Sequence, residues 1–83
     1  MITVRLPVSL RTTADDVLHV GDEVRSIADL IDLLDRQVPG FRDQFEQGGF
    51  NVAVNDELVI HGVQDRAVRP GDVVEILPAI AGG

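Results

Sequence analysis

The last two residues, Gly82-Gly83, hold the clearest chemical opportunity in this chain of 83 residues. Neither carries a Cβ, so the end can pass through a narrow channel in a partner. Its carboxylate is sterically open, and a nucleotide-activating enzyme can reach it. Before it, Pro78-Ala79-Ile80-Ala81 contains no acidic, basic or aromatic side chain. From Ala79 onward the stretch spans at most about 18 Å when extended. Rival sites are weaker. His19 and His61 are the two histidines, and neither has a partner at metal-ligand or triad spacing. The acids Asp15, Asp16, Asp22, Glu23, Asp56 and Glu57 gather near turns, without the alternating acidic loop that calcium needs. Gly48-Gly49 and Gly62 follow no strand-to-helix phosphate pattern. No metal site and no bound cofactor are expected.

Composition narrows the classes further. Without cysteine there are no disulfides, thiolate metal sites or thiol nucleophiles. The formal net charge is −7, and all seven basic residues are scattered arginines. Such a surface repels phosphate backbones and anionic headgroups, so neither nucleic acid nor a membrane is an expected partner. Lysine is absent. The chain therefore offers no side-chain amine for acylation and cannot form branched chains with itself. No basic stretch followed by a long apolar run opens the sequence, and no segment approaches a membrane span. A cytoplasmic location is the expectation.

Periodicity supplies the elements that must position the end. Ile2, Val4 and Leu6 alternate with Thr3 and Arg5, which predicts a half-buried strand closed by Pro7. Residues 10–16 read as a polar loop, followed by a short strand over 17–20 with His19 outward. Ser26 and Asp29 form an acidic variant of the capping box. Ile27, Leu30, Ile31, Leu34 and Val38 then make a helical stripe that Pro39-Gly40 terminates. Asp32 and Arg36 are spaced for an ion pair. Phe41 and Phe45 predict a short second helix lidding the core. Val52 and Val54 point inward and Ala53 outward on a strand that turns at Asn55-Asp56 into Leu58-Val59-Ile60. Val63 and Val68 anchor the next connection. Arg69-Pro70-Gly71-Asp72 suits a type II turn. In the last strand Val74 and Ile76 face in, and Val73, Glu75 and Leu77 face out.

Two strands, a long helix, a short helix and three more strands predict an α+β fold. With the first and last strands side by side at the centre, the order is that of the β-grasp, the ubiquitin-like architecture. It has a mixed sheet of four to five strands, with one main helix packed on one face and a short second helix. Residues 1–78 would be the domain and residues 79–83 a flexible Gly-Gly tail.

With this order and this tail the chain resembles the sulfur-carrier family that includes the small subunit of molybdopterin synthase and the thiamine-pathway carrier, the MoaD/ThiS family. The resemblance spans the whole chain. Val52-Ala53-Val54-Asn55-Asp56, then Arg69 to Pro78, then Ala79-Ile80-Ala81-Gly82-Gly83 carry it. The tail is most similar to the actinobacterial branch that serves cysteine biosynthesis. It lacks the aromatic residues or double proline found before the tail in molybdopterin synthase subunits.

The resemblance implies a carrier without catalytic activity of its own. An E1-like adenylating and sulfur-transferring enzyme would consume ATP to activate the Gly83 carboxylate, with Gly82 beside it. The resulting thiocarboxylate would pass its sulfur to a sulfur-accepting synthase. The expected docking face is the outward side of the sheet: Ala53, Val59, Val73 and Leu77, framed by Arg5 and Glu75, and continued by Pro78, Ala79, Ile80 and Ala81. A small subunit of molybdopterin synthase, a protein modifier and a plain interaction module are the competing readings.

Overall fold

The computed structural model describes residues 1–7, 10 and 17–79. Along the chain run β1 (Ile2–Arg5), β2 (Val17–Val20), α1 (Ile27–Gln37), α2 (Phe41–Glu46), β3 (Phe50–Val54), β4 (Glu57–Val59) and β5 (Val73–Pro78). The strands form one sheet in the order β2-β1-β5-β3-β4. β1 and β5 are parallel neighbours at its centre, and the other pairings are antiparallel. This is the β-grasp arrangement that the element order predicts.

The core lies between one face of the sheet and the helices. Ile2 and Val4 of β1, Val52 and Val54 of β3, and Val74 and Ile76 of β5 supply the sheet side. Ile27, Leu30, Ile31 and Leu34 supply the stripe of α1, with Val38 packed at its edge. Ser26 caps α1: its hydroxyl accepts from the Asp29 N–H at 3.2 Å. The Asp29 carboxylate reaches back one residue further than expected, accepting from the Arg25 N–H at 3.0 Å. Phe41 is fully buried and stacks obliquely between Phe45 and Phe50, at 6.1 and 5.2 Å between ring centres.

Two details of the sequence reading need correction. Leu10 is core rather than the start of a polar loop, and its N–H donates to the Pro7 carbonyl at 3.0 Å. One apolar side chain between polar neighbours has no period, so nothing marked it as inward-facing. Residues 11–16 of that loop lie outside the described residues. Asp32 pairs with Arg42 of α2 rather than with Arg36 one turn on. Arg42 also donates its backbone N–H to the Asp35 carboxylate at 3.0 Å, so the contact ties the two helices together.

A polar knot holds the opposite end of β5 in place. The β3–β4 turn puts Asn55 and Asp56 at positive φ, 51° and 69°, as a two-residue hairpin requires. The Asn55 amide donates to Asp72 Oδ1 at 3.1 Å, and its oxygen accepts the Val73 N–H at 2.9 Å. Gly71 sits at φ 93°, the conformation that a type II turn demands at that position. Asp72 Oδ2 accepts the Arg69 N–H at 2.8 Å across the turn. That backbone bond, then the Asn55 bond, holds the Asp72 carboxyl below its ordinary value of 3.8; desolvation opposes the shift, and the charges of Arg66 and Arg69 assist it.

A folded-state pKa below the unfolded one adds stability above the unfolded value and loses it as pH falls through the folded value. Asp72→Asn is therefore expected to lower stability at neutral pH. The gap to wild type should narrow at about pH 3, as read from urea denaturation at the two pH values. An unchanged gap would remove the carboxylate from this account.

Candidate functional site

β5 is the element that delivers the end of the chain. It is paired on both sides, with β1 along Val73–Glu75 and with β3 along Val74–Pro78. Pairing continues one residue past the strand: the Ala79 N–H donates to the Gly49 carbonyl at 3.0 Å. Gly49 is itself pinned, its N–H donating to the Gln44 carbonyl of α2 at 2.8 Å. A Cβ on Gly49 would sit 2.9 Å from that same carbonyl oxygen, too close for any other residue without a backbone shift. The junction between α2 and β3 thus sets where Ala79 lies. Ile80, Ala81, Gly82 and Gly83 lie outside the described residues, and so does most of the stretch expected to form a flexible tail. Ala79, assigned to that stretch from sequence, is half-buried and hydrogen-bonded to the body.

Strand register defines the open face of the sheet. One row runs across it as Val17, Arg5, Glu75, Ala53 and Leu58, one residue from each strand. Nearer the departing end, Leu77 lies opposite Asn51 and Pro78 opposite Phe50. Arg5 is exposed, and Val73 and Glu75 are half-buried. Thr3, Arg5, Asn55, Asp56, Val73 and Glu75 line a shallow polar depression at the far end. The exposed apolar side chains of the face are Leu77, 36% exposed, and Ile60, just past β4, 71%, towards the finish of β5, with Leu58, 53% exposed, in the same row as Glu75.

Of the expected docking residues, Val59 is placed differently and Ala53 faces outward but is shaded. Val59 lies opposite Val52, a core residue, and packs against the core from the same side of the sheet. Ala53 does face outward, yet it is only 7% exposed. Its methyl is flanked in the row by the longer side chains of Glu75 and Leu58, which shade it. Leu58 takes the position assigned to Val59. The signal for it was present: a two-residue turn at Asn55-Asp56 pairs Val54 with Glu57, which puts Leu58 opposite Ala53.

His19 lies exposed on β2, and His61 is exposed beyond β4. Among the described residues no three His, Asp or Glu side chains gather as a metal-holding group. Among the described residues no helix is long and apolar enough to cross a membrane.

A β-grasp body whose central strand runs out into a plain Gly-Gly end has the architecture of ubiquitin-like carriers. The model of the ThiS family matches residues 4–83, which includes the end itself. The chain belongs to the ThiS family and is a ubiquitin-like sulfur carrier of the MoaD/ThiS type. It is similar over its whole length, at 31% identity and a TM-score of 0.76, to a chain of the Amycolatopsis orientalis BexX/CysO complex, all of which is covered. It is similar at 26% identity and a TM-score of 0.77 to Mycobacterium tuberculosis CysO, described as an antigen, with 96% of this chain and 100% of that one covered. The complex of subunits 1 and 2 of the molybdopterin-converting factor from Helicobacter pylori shares the fold, at 20% identity and a TM-score of 0.61, with 99% and 97% covered. No curated protein matches the sequence significantly.

Proposed function

We infer that this chain carries sulfur on the carboxyl group of Gly83. A carboxylate resists attack until one of its oxygens becomes part of a good leaving group. An E1-like partner would supply that group by transferring AMP from ATP to the carboxylate, releasing pyrophosphate. A sulfide sulfur would then form the new bond to carbon, and AMP would leave with the bonding electrons; a persulfide donor would instead give an acyl disulfide, whose S–S bond a thiol must attack and cleave to free the thiocarboxylate. The product is a thiocarboxylate, an anionic and soft nucleophile for a second enzyme. The body orients the end and raises its effective concentration at each partner. ATP is consumed by the partner, and the chain itself is a co-substrate, not an enzyme.

The observation that carries this reading is the family match running through Gly83 on a chain whose central strand delivers that end from a pinned point. The identities to the CysO chains, 31% and 26%, favour the cysteine branch as the destination of the sulfur over molybdenum cofactor synthesis, where the likeness is of fold alone at 20%. The decisive test incubates the protein with a candidate activating enzyme, ATP and a sulfur donor. Charging adds roughly 16 Da as sulfur replaces oxygen at the activated carbonyl. No mass change with any activating enzyme encoded beside the gene would overturn the reading. Covalent ladders on other proteins in a denaturing pulldown would favour the modifier instead.

Docking is assigned to the open face, with Leu77 and Leu58 as anchors, Arg5 and Glu75 as polar rim, and Pro78 and Ala79 leading to Ile80 and Ala81. Leu77→Glu puts a charge where a partner must exclude water. Its cost is expected as a rise in KM for the carrier of about tenfold or more, with kcat nearly intact, because the chemistry lies beyond Ala79. A fall in kcat with KM unchanged would move Leu77 out of the docking surface.

A further inference from the structure

Among the described residues β4 is an edge of the sheet, paired with β3 on one side only. Register sorts its backbone groups. On β3, the Asn55 N–H donates to the Val73 carbonyl, and the Gly49 carbonyl accepts the Ala79 N–H. Gly49 and Asn55 thus bond toward β5, and by alternation so do Asn51 and Ala53. Val52 and Val54 therefore bond toward β4, where they meet Val59 and Glu57. Leu58, and Ile60 by the same alternation, are left with their N–H and carbonyl groups aimed away from the sheet. Such an edge is a template for another strand unless something blunts it. β4 contains no proline and no basic residue. Leu58 and Ile60 are exposed. A groove of about 340 Å³, lined by Phe45, Phe50, Val59 and Val63 among others, runs beside them.

The order of residues along this edge says what fits it. Antiparallel pairing about a two-fold axis at Val59 sets Leu58 against Ile60 of a second copy, Val59 against its equivalent, and Glu57 against His61. Leu58 and Ile60 both have outward groups, so they can exchange both hydrogen bonds. Their apolar side chains meet on the open face. At each end of the contact a carboxylate meets an imidazole, which can donate to it. The neighbouring registers fail. Centring on Leu58 sets Asp56 against Ile60, and centring on Ile60 sets Leu58 against Gly62. Asp56 and Gly62 both stand at positive φ, 69° and 59°, outside strand geometry.

We propose that two copies of this chain pair edge to edge through β4, extended through His61, in the register centred on Val59. The two sheets become one continuous sheet, with both open faces on the same side. The complementary pairs at its ends fix the register more than they add affinity. The dimer is weak, because a short edge buries less than the roughly 1,200 Å² of a stable complex. Each copy also carries a net charge of −7, so salt strengthens the pairing by screening that repulsion. The inference stands on the β3–β4 hairpin and is independent of the sulfur chemistry.

Sedimentation velocity of the intact chain, from micromolar to millimolar concentration in roughly 0.15 M salt, is expected to show the mass rising from 9.0 kDa toward twice that value. Over the same range the Leu58 and Ile60 amides should exchange more slowly, while those of Glu57 and Val59, already bonded within the hairpin, stay as they are. Leu58→Pro removes an outward donor and no bond of the hairpin, so the folded variant should remain monomeric. Since the chain has no cysteine, a single thiol reports the register. Val59→Cys would face its equivalent in a non-hydrogen-bonded pair, about 4.5 Å between Cα atoms and within disulfide reach. It should oxidise to a covalent dimer about tenfold faster than Leu77→Cys, which lies away from the edge. If Leu58→Pro does not fold, amide exchange and oxidation decide the matter. A mass of 9.0 kDa at every concentration, a dimer that persists in folded Leu58→Pro, unchanged Leu58 and Ile60 exchange, or oxidation of Val59→Cys no faster than Leu77→Cys would overturn the proposal.

Discussion

Deleting Gly83 leaves the denaturation midpoint where it is in the full chain and abolishes charging. Among the described residues no buried core residue lies beyond Ile76 of β5, and the last described link to the body is the Ala79 N–H. The deletion takes nothing from either. It moves the carboxylate back along the chain by about 3.5 Å. Even a displacement of about 1 Å from a reactive geometry costs on the order of a hundredfold in rate. Adding one alanine after Gly83 should be as damaging, because it moves the carboxylate forward by the same distance and places a Cβ at the reacting end. The check is ATP–pyrophosphate exchange and intact mass with the activating enzyme, beside urea denaturation of all three chains. Charging of the shortened chain at the rate of the full one would sink the assignment of Gly83.

Phe41→Ala has the largest expected effect on stability. Phe41 is fully buried, and its ring bridges Phe45 within α2 and Phe50 on β3. Truncation removes most of a large side chain from a site closed on all sides, at a cost of about 3–5 kcal/mol. Domains have only about 5–15 kcal/mol of net stability in all, and a chain this short belongs near the lower end. The melting temperature should fall by more than about 15 °C. Phe45→Ala, at a half-exposed position, should cost much less.

The consequence reaches function, because α2 carries Gln44, whose carbonyl pins Gly49, which in turn receives Ala79. Under conditions where Phe41→Ala is still folded, the Ala79 amide should therefore exchange its hydrogen faster than in wild type. A loss in stability below about 1 kcal/mol would show that α2 is not the lid described here.

Much of the fold was legible because its signals are local. The stripe Ile27, Leu30, Ile31 and Leu34 has one solution as a helix, and Ser26 marks its start. The alternation in Ile2–Val4 and Val74–Ile76 fixes which way those strands face. Asn55-Asp56 and Pro70-Gly71 demand turns wherever they stand. The two-residue turn also held the hairpin register. Following it through would have exchanged Val59 for Leu58 on the open face.

The sequence by itself determined the element order, the inward face of each main element, the plain Gly-Gly end and a surface free of lysine and cysteine. Those are properties of residue types and of spacings within a few positions. Only the tertiary structure decided that Ala53 is shaded by Glu75 and Leu58 and that Leu10 is core. It alone joined Asp32 to Arg42 and Ala79 to Gly49. It also set the start of β1 and the finish of β5 at opposite ends of the central parallel pair. Each of these depends on which strands and helices become neighbours. That is settled by burying the whole apolar set at once, and no short window of sequence records it.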